Sequence, residues 1–183
     1  MTIHLARHGQ TAYNHEGRFQ GHLPVPLDAT GREQAAALAE AAAQVPLRSL
    51  WCSPLARARE TADVVAARIG LTPVEDARFV ETDTGDWTDR SFDEVRAEDP
   101  EGFARFQRSD PGFRYPGGES FAEQWERVRA GLEDLRARTD DLPALVVCHR
   151  GVIRLALAAA SGDGDAGARR IPNAALVELP ELA

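Results

Sequence analysis

The sequence predicts an α/β fold in which helices cover both faces of a mainly parallel sheet. Short apolar runs alternate with longer amphipathic segments along the chain, and Pro and Gly residues separate them. Residues 144–148 are apolar throughout, which is typical of a strand buried on both faces of a parallel sheet. The 183 residues contain no internal repeat and no linker, so we expect a single domain over residues 1–183.

The first half of the chain contains predicted strands at residues 2–6, 49–52 and 73–80. The Ala-rich segment that ends near Gln44 is predicted to be a helix, with Thr30 as its N-cap and Glu33 completing a capping box. A second helix is predicted to start with Pro54 in its first turn, where the missing N–H costs nothing, and to end at Gly70.

The second half begins with a polar stretch, residues 91–109, that Pro100 and Gly102 interrupt, which predicts two short helices. The segment that follows, residues 110–118, is rich in Pro and Gly and is therefore predicted to be a loop. The remaining predicted elements are a long amphipathic helix at 119–139, a strand at 144–148, a helix at 152–160, a Gly/Asp-rich loop at 161–170 and a strand at 174–179.

The charged residues exclude several classes of function. Acidic residues outnumber basic ones by 29 to 21, and a net charge of −8 argues against nucleic-acid binding. Every basic residue is arginine, which excludes lysine nucleophiles, Schiff bases and the P-loop. The only cysteines, Cys52 and Cys148, are too few for a disulfide framework or a zinc site, and we expect buried free thiols.

Targeting signals are not evident in the sequence. It has no basic segment followed by an apolar stretch near residue 1, and no run approaches the ~20 apolar residues of a membrane span. We therefore expect a cytoplasmic protein without a membrane partner.

Three predicted strands end in residues that can carry out chemistry. The first strand leads into Arg7 and His8, the second leads towards Arg57, and the strand at 144–148 leads into His149. The third strand adds Glu81 at its own end. Because ligands bind outside the carboxyl ends of strands in an open parallel sheet, we expect these side chains to meet at one edge.

These residue types suggest phosphoryl transfer. An arginine guanidinium matches the oxygens of a phosphoryl group in bidentate fashion. A histidine can act as a nucleophile, and a carboxylic acid can protonate the leaving oxygen and later deprotonate water. This set needs neither a metal nor a cofactor.

Further motifs follow one another in order over almost the whole chain. They are Arg7-His8-Gly9-Gln10-Thr11-Ala12-Tyr13-Asn14, Gly17-Arg18-Phe19-Gln20-Gly21, Ser53-Pro54-Leu55-Ala56-Arg57-Ala58, Phe79-Val80-Glu81, Pro116-Gly117-Gly118-Glu119-Ser120 and Val146-Val147-Cys148-His149. Together they resemble the histidine phosphatase superfamily, also called the phosphoglycerate-mutase-like family. The resemblance implies a three-layer fold of that family with a small helical lid, formed by an insert at about residues 88–118.

The resemblance also implies the roles of the catalytic residues. His8 would be the nucleophile that becomes phosphorylated. Arg7, Arg57 and His149 would bind the phosphoryl oxygens and stabilise the transferring group. Glu81 would protonate the leaving group and then activate water.

Substrate contacts are implied for a second group of residues. Asn14 would donate a hydrogen bond to the phosphate, and Thr11, Gln20 and Gly21 lie in the same motifs. Arg150 stands where the family commonly has glycine, so that it either adds an arginine to the rim of the pocket or points to solvent.

Two enzymatic functions and one non-catalytic function compete. The first is a phosphatase for small phosphomonoesters, the second a cofactor-dependent phosphoglycerate mutase, and the third a phosphate-binding protein without activity. The mutases that this chain resembles are longer, have a larger cap region and use lysine, so the short lid favours hydrolysis. Arg105, Arg108 and Arg114 in the lid could still grip a second anionic group. We expect a small phosphorylated metabolite as partner, and the sequence leaves a homodimer open.

Overall fold

The computed structural model of the protein describes residues 2–161 and 170–180. Its sheet has five strands in the order β3-β2-β4-β1-β5, and the first four run parallel while β5 is antiparallel to β1. The strands are β1 (Ile3–Arg7), β2 (Ser49–Cys52), β3 (Pro73–Glu75), β4 (Ala144–Cys148) and β5 (Leu176–Leu179). The predicted α/β fold with a mainly parallel sheet is thereby confirmed.

Helices cover both faces of the sheet and complete three layers. The helices in the described part of the chain are α1 (Ala12–Glu16), α2 (Ala29–Ala42), α3 (Ala56–Ile69), α4 (Phe92–Glu98), α5 (Pro100–Gln107), α6 (Phe121–Ala137) and α7 (Arg150–Ser161). One apolar core joins α6 and α7 to the sheet, and a second joins α2 and α3 to its other face. No helix in the described part of the chain is long and apolar enough to cross a membrane.

Strand β4 lies in the middle of the sheet and is buried along its whole length. Val146 and Cys148 belong to the core beneath α6 and α7, whereas Leu145 and Val147 belong to the core beneath α2 and α3. Successive side chains of a strand point to opposite faces, so a central strand must be apolar at every position. This explains the continuous apolar run in the sequence.

A third apolar cluster lies under the lid segment, which we define as residues 88–118. It is almost entirely aromatic and is centred on Phe19, Trp87, Phe106, Phe113 and Tyr115. Phe113 and Tyr115 have ring centroids 4.9 Å apart in an edge-to-face arrangement, which suits the ring quadrupoles. Helices α4 and α5 therefore have a core of their own beside the sheet.

Two predicted helix starts differ from the structure. Asp28, not Thr30, is the N-cap of α2, because its Oδ1 accepts a hydrogen bond from the amide of Gly31 at 2.7 Å. Helix α3 starts at Ala56 with Leu55 as N-cap, so that Pro54 lies just before it.

The third strand is shorter than predicted. It ends at Glu75, and a 3₁₀ turn at Ala77–Phe79 follows it, so Glu81 lies in a loop and not at the end of a strand. The other predicted elements agree with the structure within a few residues at their ends. The predicted loop at 161–170 falls mostly outside the described residues.

Candidate active site

The site is built at the carboxyl ends of β1 and β4, which are neighbours in the sheet. Arg7 is in register with Cys148, and the amide of His8 donates to the carbonyl of Cys148 at 3.0 Å. His8 and His149 therefore leave adjacent parallel strands at the same level. Their ring centroids are 5.2 Å apart.

A hydrogen bond to its own loop determines the tautomer of His8. Its Nδ1 lies 2.6 Å from the carbonyl oxygen of Gly9, which can only accept. Nδ1 must then carry the proton, and Nε2 keeps its lone pair. The side chain is buried, and burial, with the charges of Arg57 and Arg7, holds its pKa well below 6.5. His8 is therefore a neutral imidazole whose Nε2 can act as a nucleophile.

His149 is completely buried against Ser53, which follows β2. Its Nε2 lies 2.8 Å from the Ser53 hydroxyl oxygen, and its Nδ1 has no partner in the described structure. Burial and the charge of Arg57 lower the pKa of His149 well below its ordinary value. If the hydroxyl donates to Nε2, the proton of the neutral His149 ring lies on Nδ1.

Two buried arginines flank the histidines. Arg57, in the first turn of α3, donates to the carbonyls of Leu23 at 3.1 Å and Gly21 at 2.9 Å. Arg7 donates to the carbonyl of Ile171 at 2.7 Å. Burial lowers the pKa of each guanidinium to about 10, so both remain cationic at neutral pH.

Three nitrogen atoms are buried without a hydrogen-bond partner in the described part of the chain: Arg7 Nε, Arg57 Nε and His149 Nδ1. A buried donor without a partner costs roughly 1–3 kcal/mol, so native proteins leave few of them. All three belong to residues around His8.

The carboxylate of Glu81 is held from two helices. Its Oε1 accepts from the amide of Thr82 at 3.0 Å and from Gln124 Nε2, on α6, at 3.3 Å. Its Oε2 accepts from the amide of Gly151, in the first turn of α7, at 3.3 Å. A Cβ on Gly151 would lie 2.3 Å from Glu81 Oε1, so only glycine lets the helix backbone approach the carboxylate this closely.

The backbone around Glu81 is held by Arg127 of α6. One terminal nitrogen of this guanidinium donates to the carbonyls of Arg78 and Val80, each at 2.8 Å, and the other donates to the carbonyl of Glu81 at 3.1 Å. Glu119 pairs with Arg127 Nε at 2.7 Å and orients it. Helix α6 therefore fixes both the backbone and the side chain of Glu81.

The segment after β1 supplies an amide to the site. Asn14 Oδ1 accepts from the Thr11 amide at 3.2 Å and from Asn173 Nδ2 at 3.0 Å, which leaves the Asn14 amide nitrogen for the cavity. Thr11 has a different role from the substrate contact that was predicted for it. It is fully buried, serves as the N-cap of α1, and donates to Gln20 Oε1 at 3.0 Å, so it supports two lining residues and does not contact the cavity.

A cavity of about 250 Å³ lies over this edge of the sheet. Eight of the predicted site residues line it: Arg7, His8, Asn14, Gln20, Gly21, Arg57, Glu81 and Arg150. His149 does not line the cavity, although its ring lies beside that of His8. Aromatic side chains of the lid core, among them Phe106 and Tyr115, form the opposite wall. Among the described residues, no three His, Cys, Asp or Glu side chains are grouped so that they could hold a metal ion.

The lid arginines do not reach the cavity. Arg105 pairs with Asp110 at 2.7 Å, and Arg114 pairs with Glu123 at 2.5 Å. Arg108 does not line the cavity either. The expectation that these arginines could grip a second anionic group is not met, because two of them are neutralised on the outside of the lid.

Several residues of the site were given no role in the sequence analysis. Gln124 supports Glu81, Ser53 supports His149, and Arg154 and Asn173 line the cavity. The sequence does mark Gln124, because it is a polar residue at a position of the apolar stripe of α6. In the structure this side chain is fully buried. The sequence does not mark Asn173 in this way, since it lies in an irregular segment before the last strand.

Comparison with known proteins gives the family. A model of the histidine phosphatase superfamily (branch 1) matches residues 3–180. The chain belongs to the histidine phosphatase superfamily. The resemblance inferred from the motifs is thereby confirmed.

Relatives within the histidine phosphatase superfamily include phosphatases and mutase-like proteins. Phosphoserine phosphatase 1 of Hydrogenobacter thermophilus is 34% identical over 145 residues, which cover 79% of this chain and 69% of the relative. A probable phosphoglycerate mutase, GpmB, of Klebsiella pneumoniae is 36% identical over 154 residues, which cover 81% and 69%. A solved mycobacterial glucosyl-3-phosphoglycerate phosphatase in complex with VO3 has a TM-score of 0.88 and 32% identity, and the match covers 97% of this chain and 91% of that one.

Proposed function

We propose that the protein is a phosphatase that hydrolyses small phosphomonoesters through a phosphohistidine on His8. One observation carries the proposal. The cationic side chains of Arg7 and Arg57 line the cavity beside a neutral His8 whose Nε2 keeps its lone pair. This arrangement suits a phosphoryl group, which offers oxygen acceptors to the donors and a phosphorus atom to the nucleophile. Phosphatases among the relatives support it.

In the first step, His8 Nε2 attacks phosphorus and forms an N–P bond while the ester P–O bond breaks. The electron pair of that bond stays on the leaving oxygen, and the carboxylic acid form of Glu81 gives it a proton, so that an alcohol leaves. Arg7 and Arg57 neutralise the charge on the phosphoryl oxygens, and Asn14 and Gln20 hold them in place. His8 keeps its proton on Nδ1, which Gly9 accepts.

In the second step, the Glu81 carboxylate takes a proton from water, and the water oxygen attacks phosphorus. The N–P bond breaks, its electron pair returns to Nε2, and inorganic phosphate leaves. Glu81 is again an acid and His8 again neutral, so the cycle consumes one ester and one water. The shared arrangement of donors serves both steps, because each passes through a similarly charged transferring group.

The alternative function is that of a phosphoglycerate mutase, because a probable phosphoglycerate mutase is among the relatives. A mutase must return the phosphoryl group to a hydroxyl of its substrate and keep water from the phosphohistidine. The chain has no lysine for a substrate carboxylate, and Arg105 and Arg114 are engaged by acidic residues. Both observations favour hydrolysis.

The test is a phosphate-release screen over phosphorylated metabolites with phosphoglycerate mutase activity measured in parallel. An acid-labile, alkali-stable phosphoenzyme is expected on mixing with p-nitrophenyl phosphate and rapid quenching. His8→Asn should abolish it together with turnover, whereas His15→Asn, at an exposed position on α1, should retain both. A phosphoenzyme or turnover that survives in His8→Asn would remove His8 from the nucleophile role.

A further inference from the structure

We propose that residues 20–23 form a turn that links Arg57 to the backbone of Glu81, and that His22 is the positioning residue in this link. We call residues 20–23 the bridging turn. The inference rests on the proposed function, in which Glu81 is the acid and the base. Among the described residues, Gln20 and Gly21 line the cavity and His22 does not, so His22 acts through Glu81 and not by contact with the substrate.

The bridging turn is held by Arg57. The amide of Leu23 donates to the carbonyl of Gln20 at 3.0 Å and closes the turn. The guanidinium of Arg57 donates to the carbonyl of Gly21 at 2.9 Å and to that of Leu23 at 3.1 Å. Arg57 is itself buried beside His8. The carbonyls on either side of His22 are therefore fixed by a buried cation of the cavity wall.

The bridging turn also lies against the segment that follows Glu81. Gly21 has a φ of 47°, a left-handed conformation that glycine adopts at no steric cost. A Cβ on Gly21 would lie 2.6 Å from Thr84 Oγ1 and 3.1 Å from Thr88 Oγ1. These two hydroxyl oxygens are 2.7 Å apart and share a hydrogen bond. The turn therefore has a fixed place beside the residues that carry the acid.

The side chain of His22 extends from the bridging turn to Glu81. Its Nε2 lies 2.7 Å from the carbonyl oxygen of Glu81, which can only accept, so Nε2 carries a proton and donates it. Residues 80–84 belong to neither a helix nor a strand. The place of this carbonyl therefore depends on the side chains that bind it, which are His22 and, at 3.1 Å, Arg127.

The link joins the two halves of the proposed reaction. Arg57 neutralises the phosphoryl oxygens, and Glu81 protonates the leaving oxygen. Loss of the His22 contact leaves Arg127 on the Glu81 carbonyl, so we expect the acid to be displaced slightly and to remain in the cavity. A slightly displaced proton donor slows the chemical step more than it weakens binding of the phosphoryl group.

The test measures single-turnover formation of the phosphoenzyme from propyl phosphate and from p-nitrophenyl phosphate. His22→Ala should lower the maximal rate with propyl phosphate by about 10-fold and leave the half-saturating concentration within about twofold. It should slow p-nitrophenyl phosphate by less than about twofold, because nitrophenolate leaves without needing a proton. His22 is exposed, so its removal creates no cavity and the variant should fold.

The control is His15→Ala, which removes another exposed histidine, on α1, and should match the wild type with both substrates. Two further variants test the hydrogen bond itself. The amide nitrogen of glutamine takes the place of histidine Nε2, whereas that of asparagine takes the place of Nδ1 and falls short of the Glu81 carbonyl. With propyl phosphate, His22→Gln should stay within about threefold of the wild type, and His22→Asn should resemble His22→Ala.

A double-mutant cycle with Glu81→Gln shows whether His22 acts through the acid. In the Glu81→Gln background no carboxylic acid remains to be positioned. His22→Ala should then add less than about twofold to the loss with propyl phosphate, against about 10-fold in the wild-type background.

Four results would overturn the inference in a wild-type protein that forms the phosphoenzyme. They are that His22→Ala slows neither substrate, that it slows both equally, that its full effect multiplies with that of Glu81→Gln, or that His22→Gln and His22→Asn give equal rates. The proposed function would then stand without the link. If the wild type forms no phosphoenzyme and releases no phosphate from either probe, the proposed function itself fails.

Discussion

The guanidinium of Arg127 donates a hydrogen bond of 3.1 Å to the carbonyl of Glu81. The same guanidinium holds the carbonyls of Arg78 and Val80, and Gln124, one turn earlier on α6, holds the Glu81 carboxylate. One helix therefore determines where the acid lies relative to the cavity. Arg127 itself does not line the cavity, so we expect it to act on the proposed reaction through Glu81.

Arg127→Gln should lower kcat/KM for an alkyl phosphate by about 10- to 100-fold, because a small displacement of a proton donor is costly. It should affect p-nitrophenyl phosphate much less, since nitrophenolate leaves without needing a proton. Single-turnover rates of phosphoenzyme formation from both substrates measure the difference. Arg129→Gln on the same helix is the control. Equal losses on both substrates would indicate a general defect of folding and not a misplaced acid.

Glu81→Gln tests the acid directly. We expect the phosphorylation step with an alkyl phosphate to slow by ~10²–10⁴, the usual contribution of a general acid, and the same step with p-nitrophenyl phosphate to slow much less. Rapid quenching separates this step from hydrolysis of the phosphoenzyme, in which the proposed mechanism has Glu81 activate water for every substrate. The acid role of Glu81 would be excluded by an equal loss on both substrates in the first step.

Gly151→Ala should disturb the acid without removing it. The new Cβ would lie 2.3 Å from Glu81 Oε1 and 3.1 Å from Gln124 Nε2, so the carboxylate must move. We expect turnover of alkyl phosphates to fall by about 100-fold, as for other small misplacements of catalytic groups. Gly112→Ala is the matched control, because its Cβ would meet only the tips of side chains, at 3.3 and 3.4 Å. Unchanged alkyl phosphate turnover in Gly151→Ala would contradict the close approach of α7 to Glu81.

Because two histidines are buried in the folded protein, we expect its free energy of unfolding to decrease in mild acid. Burial lowers the pKa of His8 and His149 below 6.5 in the folded protein, whereas the unfolded chain protonates both near 6.5. The unfolded state then binds more protons below that pH, so the free energy of unfolding decreases as the pH falls, by up to about 1.4 kcal/mol per pH unit for each group.

Denaturant unfolding between pH 7.5 and 5.5 measures this slope. His8→Asn should make it shallower by the share of one histidine, and His15→Asn, exposed on α1, should not. Identical slopes for the wild type and His8→Asn would mean that the imidazole of His8 does not remain neutral on folding.

The convergence of His8 and His149 could be predicted because it depends on local strands and on a general rule for parallel sheets. The apolar run before His149 already marked β4 as a central strand. Glu81 was also expected at this edge of the sheet, but as the residue at the end of a strand, and the structure places it in a loop. The strand before it ends at Glu75 and pairs only with β2, at the edge of the sheet.

The contacts that place Glu81 could not be predicted in the same way. Gln124 and Arg127 are more than 40 residues away in the sequence, and no local periodicity records which carbonyl a guanidinium will hold. The hydroxyl that orients His149 belongs to Ser53, 96 residues earlier. Hydrogen bonds between distant segments depend on the completed tertiary structure, and these bonds convert a set of reactive residues into a site.

The segment just before β5 joins His8, the proposed nucleophile, to a distant part of the chain. Ala174 and Asn173 both donate to the carbonyl of His8, and Ile171 accepts from Arg7. His8 and Asn173 are separated by 165 positions. During synthesis the nucleophile therefore leaves the ribosome long before the residues that anchor it. A nascent chain that already contains the central strand and all of its histidines still has an unsupported nucleophile, and activity should begin only when this segment has emerged.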